Sequence, residues 1–414
     1  LKRRIDLFYH ANLAHIQMDS GCEFDLERCD PQLAVQSAYL RRVTGFPAWQ
    51  GTAGEFFPLG DVTFPRMIEE LKRAERFILL EYFIISPGIM WEEMLAVLRE
   101  RRAAGVEIRI MYDDIGTIST LPTGYDRTLR AMGFDVVVFN PYEPHLNMSM
   151  NYRDHRKICV IDGNVGFCGG INIADEYINR LPRFGHWKDT AVMLKGEGVW
   201  NLTLMFLTLW GFSSPGSRID YARYIPTVAC RSEGFVQPFG DSPLDRLSVS
   251  ETVYLQMIHR AVDYLYLTTP YRVLDNETIV ARPTAAQRGV DVRVITPHIP
   301  DKWYVHLVSR SYYRALLHGG VRIFEYQPGF IHAKQMVSDD KIAVVGTANF
   351  DFRSLYLHFE CGVLFYHSPV VTQVRDDIVQ TLSVCQEISP EAAGSLKLWE
   401  RALAAVLRVI APLI

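Results

Sequence analysis

The chain has 414 residues, 49% hydrophobic and 22% charged, which is ample material for a packed core and rules out a disordered chain. Its net charge of −4 leaves no global basic field for holding nucleic acid, so no nucleic-acid partner is expected. No apolar run reaches the ~20 residues of a spanning helix, and the 7 cysteines, an odd number without a C-x2-C pair, read as the reduced thiols of a cytosolic protein, Cys22 and Cys29 included.

In chain order, residues 1–45 have poor alternation and form an N-terminal extension. The first lobe is assigned to 46–215 and the second to 216–414. A helix from Pro65 to Glu75 leads into the strand FILLEYFII at 77–85. A helix at 91–103, the strand VEIRIMY at 106–112, a helix near 123–132 and the strand DVVVF at 135–139 follow. The second half repeats this order, with a helix at 251–262, the strand YLYLTT, a helix ending at Arg288, the strand VDVRVIT, a helix over 302–318 and the strand VRIFEY. Pro283 falls inside one of these helices and is expected to break or kink it. Residues 198–212 read as a core helix between lobes. The pattern of 396–410 suits a helix packed on a core, or one lying in a membrane interface.

Each half then carries the same motif. His155, Lys157, Asp162, Gly169, Gly170 and Asn172 are matched 177 residues later by His332, Lys334, Asp339, Gly346, Thr347 and Asn349, both reading H-x-K-x4-D-x6-G-[GT]-x-N. An internal pair of this length is a duplication. On a strand, residues i and i+2 share a face, so each half projects an imidazole beside an ammonium. An unprotonated histidine is a nucleophile and a protonated partner is a general acid. The lysines, with the amides of Asn172 and Asn349, would bind the non-bridging oxygens of a phosphate, and the small residues at 169–170 and 346–347 would let backbone approach that anion. The chemistry is displacement at a phosphodiester through a phosphohistidine. No cofactor and no metal are required, because the lysines supply the positive charge.

These motifs resemble the HKD motifs of the phospholipase D superfamily. The runs LLEYFII, NYRDHRK, HWKDT, LTTPY, RGVDVRVITP and the ending IAPLI are similar to bacterial cardiolipin synthases. The resemblance implies an α/β fold of two duplicated phospholipase D-like lobes, each a mixed sheet flanked by helices, related by a pseudo-twofold axis. It implies His155 as nucleophile and His332 as acid. A carboxylate a few tens of residues beyond each histidine would orient it, which points to Asp189 and Glu360. Asp162 and Asp339, counted with the catalytic motif set, read as ties of the motif loop more than as proton carriers.

The function implied is a phosphatidyltransferase that joins two phosphatidylglycerol molecules, with a lipid hydrolase or a nuclease of the same superfamily as alternatives. The expected partners are an anionic phospholipid and a membrane surface. The expected location is the cytoplasmic face of the cell membrane, peripheral or through a segment outside this chain. Glu81 either faces the site and binds a motif lysine or pairs within the core. His145 and His186 read as polar edge residues, and Tyr271 and Arg272 as possible headgroup contacts.

Overall fold

A computed structural model describes residues 20–142, 148–214, 216, 218–245, 247–273, 276–393 and 397–410. His145 and residues 1–19 of the early extension lie outside them. Two sheets carry the same strand order. The first runs Thr52–Phe57, Ala191–Gly196, Val165–Gly169, Lys157–Ile161, Phe77–Tyr82, Glu107–Asp113, Asp135–Phe139. The second runs Phe235–Asp241, His358–Tyr366, Ile342–Gly346, Gln335–Ser338, Tyr264–Thr268, Asp291–Pro297, Arg322–Tyr326, with Cys385–Glu387 added at its edge. In each, three parallel strands linked by helices join an antiparallel set containing the motif hairpin. The α/β expectation and the duplication both hold.

Strand alternation sorts the core. Leu79, Ile158 and Val160 pack in a cluster shared with Val337, Ala343 and Val345 of the second sheet, while Ile78, Leu80, Cys159 and Ile161 face the first lobe's own helices. On the second sheet, Met336, Ile342 and Val344 face the other way, toward a third cluster. The lobes therefore share one apolar interface, and the helix Val199–Ser213 is buried in it. The helices Glu23–Cys29 and Pro31–Thr44 pack Leu26, Leu33 and Leu40 on the second lobe.

Two expectations need correction. Pro283 sits inside an unbroken helix, Asn276–Gln287. Its ring lies against Gly319, where an added Cβ would come within 2.3 Å of the proline Cβ, so the neighbouring element needs a residue without a side chain there. The helix expected over 302–318 is two, Trp303–Ser311 and Tyr313–His318.

The motif aspartates build the hairpins. Asp162 (φ 54°) and Gly163 (φ 72°) are the paired positive-φ residues of a two-residue turn, closed by Asn164 N–H to Ile161 O at 3.0 Å; Asp339 and Asp340 form the equivalent turn. The Asp162 carboxylate accepts the backbone N–H groups of Glu75, Arg76 and Phe77 at 2.7–2.9 Å, and Asp339 accepts those of Val262, Asp263 and Tyr264 at 2.9 Å. Each thus ties the motif hairpin to the start of the adjacent central strand, at the far end of its own strand from the histidine. Asp162→Ala or Asp339→Ala should lower unfolding stability by about 2 kcal/mol in urea titrations, with Asn, which keeps one acceptor, costing less. A loss of activity in folded protein without any loss of stability would return these residues to the reaction.

Candidate active site

The duplication brings the two histidines into one site by exchanging short strands between lobes. Arg153–Asp154, just before His155, pairs in parallel with His358–Phe359, just before Glu360; Gly329–Ile331, just before His332, pairs with His186–Lys188, just before Asp189. The register is locked by His155 N–H to Phe359 O at 2.9 Å and His332 N–H to Lys188 O at 2.7 Å. Each histidine consequently meets the carboxylate of the other lobe. His155 Nδ1 lies 2.9 Å from Glu360 Oε1, and His332 Nδ1 lies 2.6 Å from Asp189 Oδ2. Both expected carboxylates are present, but they are crossed with respect to the motif order.

Glycine and threonine at the motif ends serve these carboxylates, which corrects the expectation that they approach an anion. A Cβ on Gly170 would fall 2.1 Å from Asp189 Oδ1. Thr347, at the equivalent place, donates its hydroxyl to Glu360 Oε2, and Thr190 N–H donates to Asp189 Oδ1 at 2.9 Å. Arg156 Nε donates to the Glu360 carbonyl at 3.3 Å, and Lys188 forms a 2.7 Å ion pair with Asp377 across the lobes.

All six charged or titratable groups are buried, with His155 7% and His332 6% exposed. Burial pushes His155 down to about 3 and His332 to about 4 against the opposing pull of their carboxylates, and the neighbouring lysine lowers each further. Burial alone would raise the carboxyls, yet the facing histidines hold both Glu360 and Asp189 below their ordinary values. The carboxylates stay ionised, so they accept from Nδ1–H and leave Nε2 as the open, unprotonated nitrogen of each ring. Burial also lowers Lys157 to about 8 and Lys334 to about 7, opposed by Glu360 and Asp189. Lys157 acts on His332 and Lys334 as well, which makes the two motifs one electrostatic unit. Both ammonium groups hydrogen-bond the carbonyl of their own motif histidine.

The asparagines are held by neighbours five residues on. Asn172 accepts from Ile84 N–H at 3.0 Å and donates to the Tyr177 hydroxyl at 2.8 Å; the Tyr177 ring then meets the His332 ring edge-on at 5.6 Å. Asn349 donates to the Ser354 hydroxyl at 3.1 Å, and its Oδ1 is buried without a hydrogen-bond partner among the described residues.

Glu81 settles as a core residue. Fully buried, it is pushed up to about 7 by burial, opposed by Arg156 3.7 Å away, and it does not reach a motif lysine. His186 is an exposed edge residue with Nδ1 2.8 Å from the Tyr326 hydroxyl. Tyr271 gives its hydroxyl to Asp301, and the Arg272 side chain lies outside the described residues.

His358 was missed. Its ring lies 5.5 Å from that of His155 and its Nδ1 3.7 Å from Glu360 Oε1, with neither ring nitrogen hydrogen-bonded among the described residues. The available signal was its place two residues before Glu360 on a strand, hence on the same face. Ligand atoms of His155, His358 and Glu360 lie within 4.8 Å of one another, so a cation held there would draw on the carboxylate that orients His155.

With this geometry in place, the chain can be compared with known proteins. A family profile described as "Cardiolipin synthase, PLD-like domain" matches residues 67–181 and 254–382, one segment around each motif. An uncharacterized protein of Streptococcus mutans is 42% identical over 100% of this chain and 90% of its own length. A cardiolipin synthase of Geobacillus kaustophilus is 36% identical over 86% of this chain and 71% of its own. Among solved structures, a phosphatidylserine synthase of Haemophilus influenzae shares the fold with a TM-score of 0.69 at 14% identity, over 92% of this chain and 98% of that one. A polyphosphate kinase of Porphyromonas gingivalis gives 0.54 at 13% identity, over 88% and 53%. The paired profile matches and the extent of these sequence identities establish that the chain belongs to the cardiolipin synthase family of phospholipase D-like proteins.

Proposed function

We propose that this protein is a phosphatidyltransferase that makes cardiolipin from two phosphatidylglycerol molecules. The observation that carries the reading is the crossed pair of buried imidazoles, each with Nδ1 on a carboxylate and Nε2 open, beside two lysines. His155 Nε2 attacks phosphorus, forming the P–N bond as the P–O bond to glycerol breaks. His332 gives its proton to the departing glycerol oxygen. The hydroxyl of the second phosphatidylglycerol then attacks, its proton returns to His332, and the P–N bond breaks to release cardiolipin and free His155. Lys157, Lys334 and the remaining N–H groups of Asn172 and Asn349 are assigned to the non-bridging oxygens. Asp189 and Glu360 orient the rings.

The low proton affinity of the empty site is compatible with this scheme, since an arriving phosphodiester anion raises the pKa of every cation around it. His332 is thereby charged only when substrate is bound, and His155, held as the neutral tautomer, keeps its lone pair. Transfer in place of hydrolysis requires a bound acceptor and a dry intermediate, which the burial of all six groups supports. We place the lobes at 46–215 and 216–414, with residues 1–45 as an extension, and the working location at the cytoplasmic face of the membrane. Among the described residues no helix is long and apolar enough to cross a membrane.

Lipid mass spectrometry after incubation with phosphatidylglycerol vesicles tests the reading. Cardiolipin and glycerol are expected, with His155→Ala and His332→Ala each at least about 10³-fold slower. Phosphatidic acid alone would make the protein a hydrolase, and DNA cleavage without lipid turnover a nuclease.

The lysines set the alkaline side of the pH profile. Because their folded pKa values are lowered to about 7 for Lys334 and about 8 for Lys157, raising pH through that window removes positive charge from the empty site. The kcat/KM should therefore fall across it, while acid should do little until the histidines protonate near about 4 and about 3. Lys334→Arg should push the alkaline limb upward at a lower maximum. A flat or rising profile through the window would remove the lysines from the anion site.

A further inference from the structure

One polar ring at the active site has no task in the proposed chemistry. The His358 side chain is only 11% exposed, and neither of its ring nitrogens makes a hydrogen bond among the described residues. An imidazole buried in that state is costly. Its Nδ1 lies 3.7 Å from Glu360 Oε1, the same oxygen that lies 2.9 Å from His155 Nδ1, while Glu360 Oε2 takes the Thr347 hydroxyl. Two imidazole nitrogens are thus turned toward one carboxylate oxygen. Ligand atoms of the three residues all lie within 4.8 Å of one another, and among the described residues no other set of three His, Cys, Asp or Glu is grouped so closely.

The donor set fits a transition-metal ion. Ligands about 2.0 Å from a tetrahedral zinc stand about 3.3 Å apart, and zinc accepts two histidines and a glutamate with its fourth position left to water. The separations of 2.9 and 3.7 Å about Glu360 Oε1 bracket that spacing. The duplication supplies an internal comparison. The residue that stands two places before Asp189, as His358 stands before Glu360, is Trp187; its ring lies 5.6 Å from that of His332, and His358 lies 5.5 Å from His155. An indole has no lone pair to give a metal. A ring therefore fills both places, but only beside His155 is it one that can bind a cation. The Lys157 charge acts on the His155 ring and opposes such an ion, so reversible binding is expected and not a structural site.

We propose that His155, His358 and Glu360 form an inhibitory site for a divalent transition-metal ion of the zinc type. The ion takes the place of the proton on His155 Nδ1. A neutral imidazole ligand carries its proton on the other nitrogen, so one N–H bond breaks at Nδ1, one forms at Nε2 through solvent, and the charge of the ring is unchanged. Nε2 then has no free lone pair with which to attack phosphorus, and Glu360 is drawn from its hydrogen bond to the metal. The inhibitory consequence rests on His155 as the nucleophile, whereas the binding rests on the geometry of the three side chains.

The full chain, carrying isotope-labelled histidine, is titrated with zinc chloride and followed by nitrogen NMR. Zinc is expected to bind, and the His155 Nε2 signal, identified by its absence from His155→Ala, should change from the unprotonated to the protonated type. Cobalt(II) in place of zinc should give the visible absorption of a four-coordinate ion. His358→Asn and Glu360→Gln should each weaken binding of both ions at least about tenfold, with thermal unfolding to show that the variants are folded, while His332→Ala should bind them as the wild type does. Equal zinc binding by wild type and His358→Asn, which would place the ion on exposed thiols such as Cys29, would overturn the proposal. So would the absence of binding, or a His155 signal unchanged with zinc bound. None of these readings needs lipid turnover, so they stand or fall apart from the transferase assignment.

Discussion

The hydrogen bond from each motif histidine to a carboxylate of the opposite lobe is the constraint on which the rest of the site depends. His155 with Glu360 and His332 with Asp189 join residues 205 and 143 positions apart. An imidazole orientation held to a few tenths of an ångström across a lobe boundary is possible only if that boundary does not slide. The exchanged strands, the apolar cluster shared by both sheets and the Lys188–Asp377 pair at the base of Asp189 all prevent sliding. The helix Val199–Ser213, apolar on nearly every side, serves the same end by lying inside the interface.

Electrostatics follows from that geometry. Two ionised carboxylates face two buried lysines, and the imidazoles between them are neutral when the site is empty. Such a site is balanced in charge when empty, so in the proposed chemistry the negative charge of an arriving phosphodiester is matched by the proton that His332 takes up, and the substrate itself switches the acid on. Burial has a cost that every group must offset by a partner. The partners are present here: Thr347 and His155 on Glu360, Thr190 and His332 on Asp189, and motif carbonyls on both lysines.

Much of this was legible in the sequence. The repeat of His155, Lys157 and Asp162 marked each motif hairpin and the aspartate that ties its turn, although His155, His332 and Lys334 sit just before the strands Lys157–Ile161 and Gln335–Ser338 and not on them. The central strands were legible because they are apolar on both faces. The crossing of the carboxylates was not, since periodicity reports which face a residue takes and nothing about which strand lies opposite. Gly170 was misread for the same reason: a small residue signals a close approach without naming what approaches. The strands Thr52–Phe57 and Phe235–Asp241, interrupted by glycine and proline, lacked the pattern that would have announced them. Pro283 lies inside the helix Asn276–Gln287 with its ring packed on Gly319, 36 residues away, a contact that sequence periodicity does not report.

The crossed assignment is open to a direct test with a phosphatidyl donor whose leaving group is p-nitrophenol, which departs without a proton. The rate of p-nitrophenolate release from this donor would be compared with the rate of glycerol release from phosphatidylglycerol in Glu360→Gln and Asp189→Asn. If Asp189 serves the acid His332 and Glu360 the nucleophile His155, the activated donor restores most of the rate lost by Asp189→Asn and little of that lost by Glu360→Gln. The reverse pattern, with Glu360→Gln rescued, would mean that the histidine roles or their carboxylates are assigned the wrong way round.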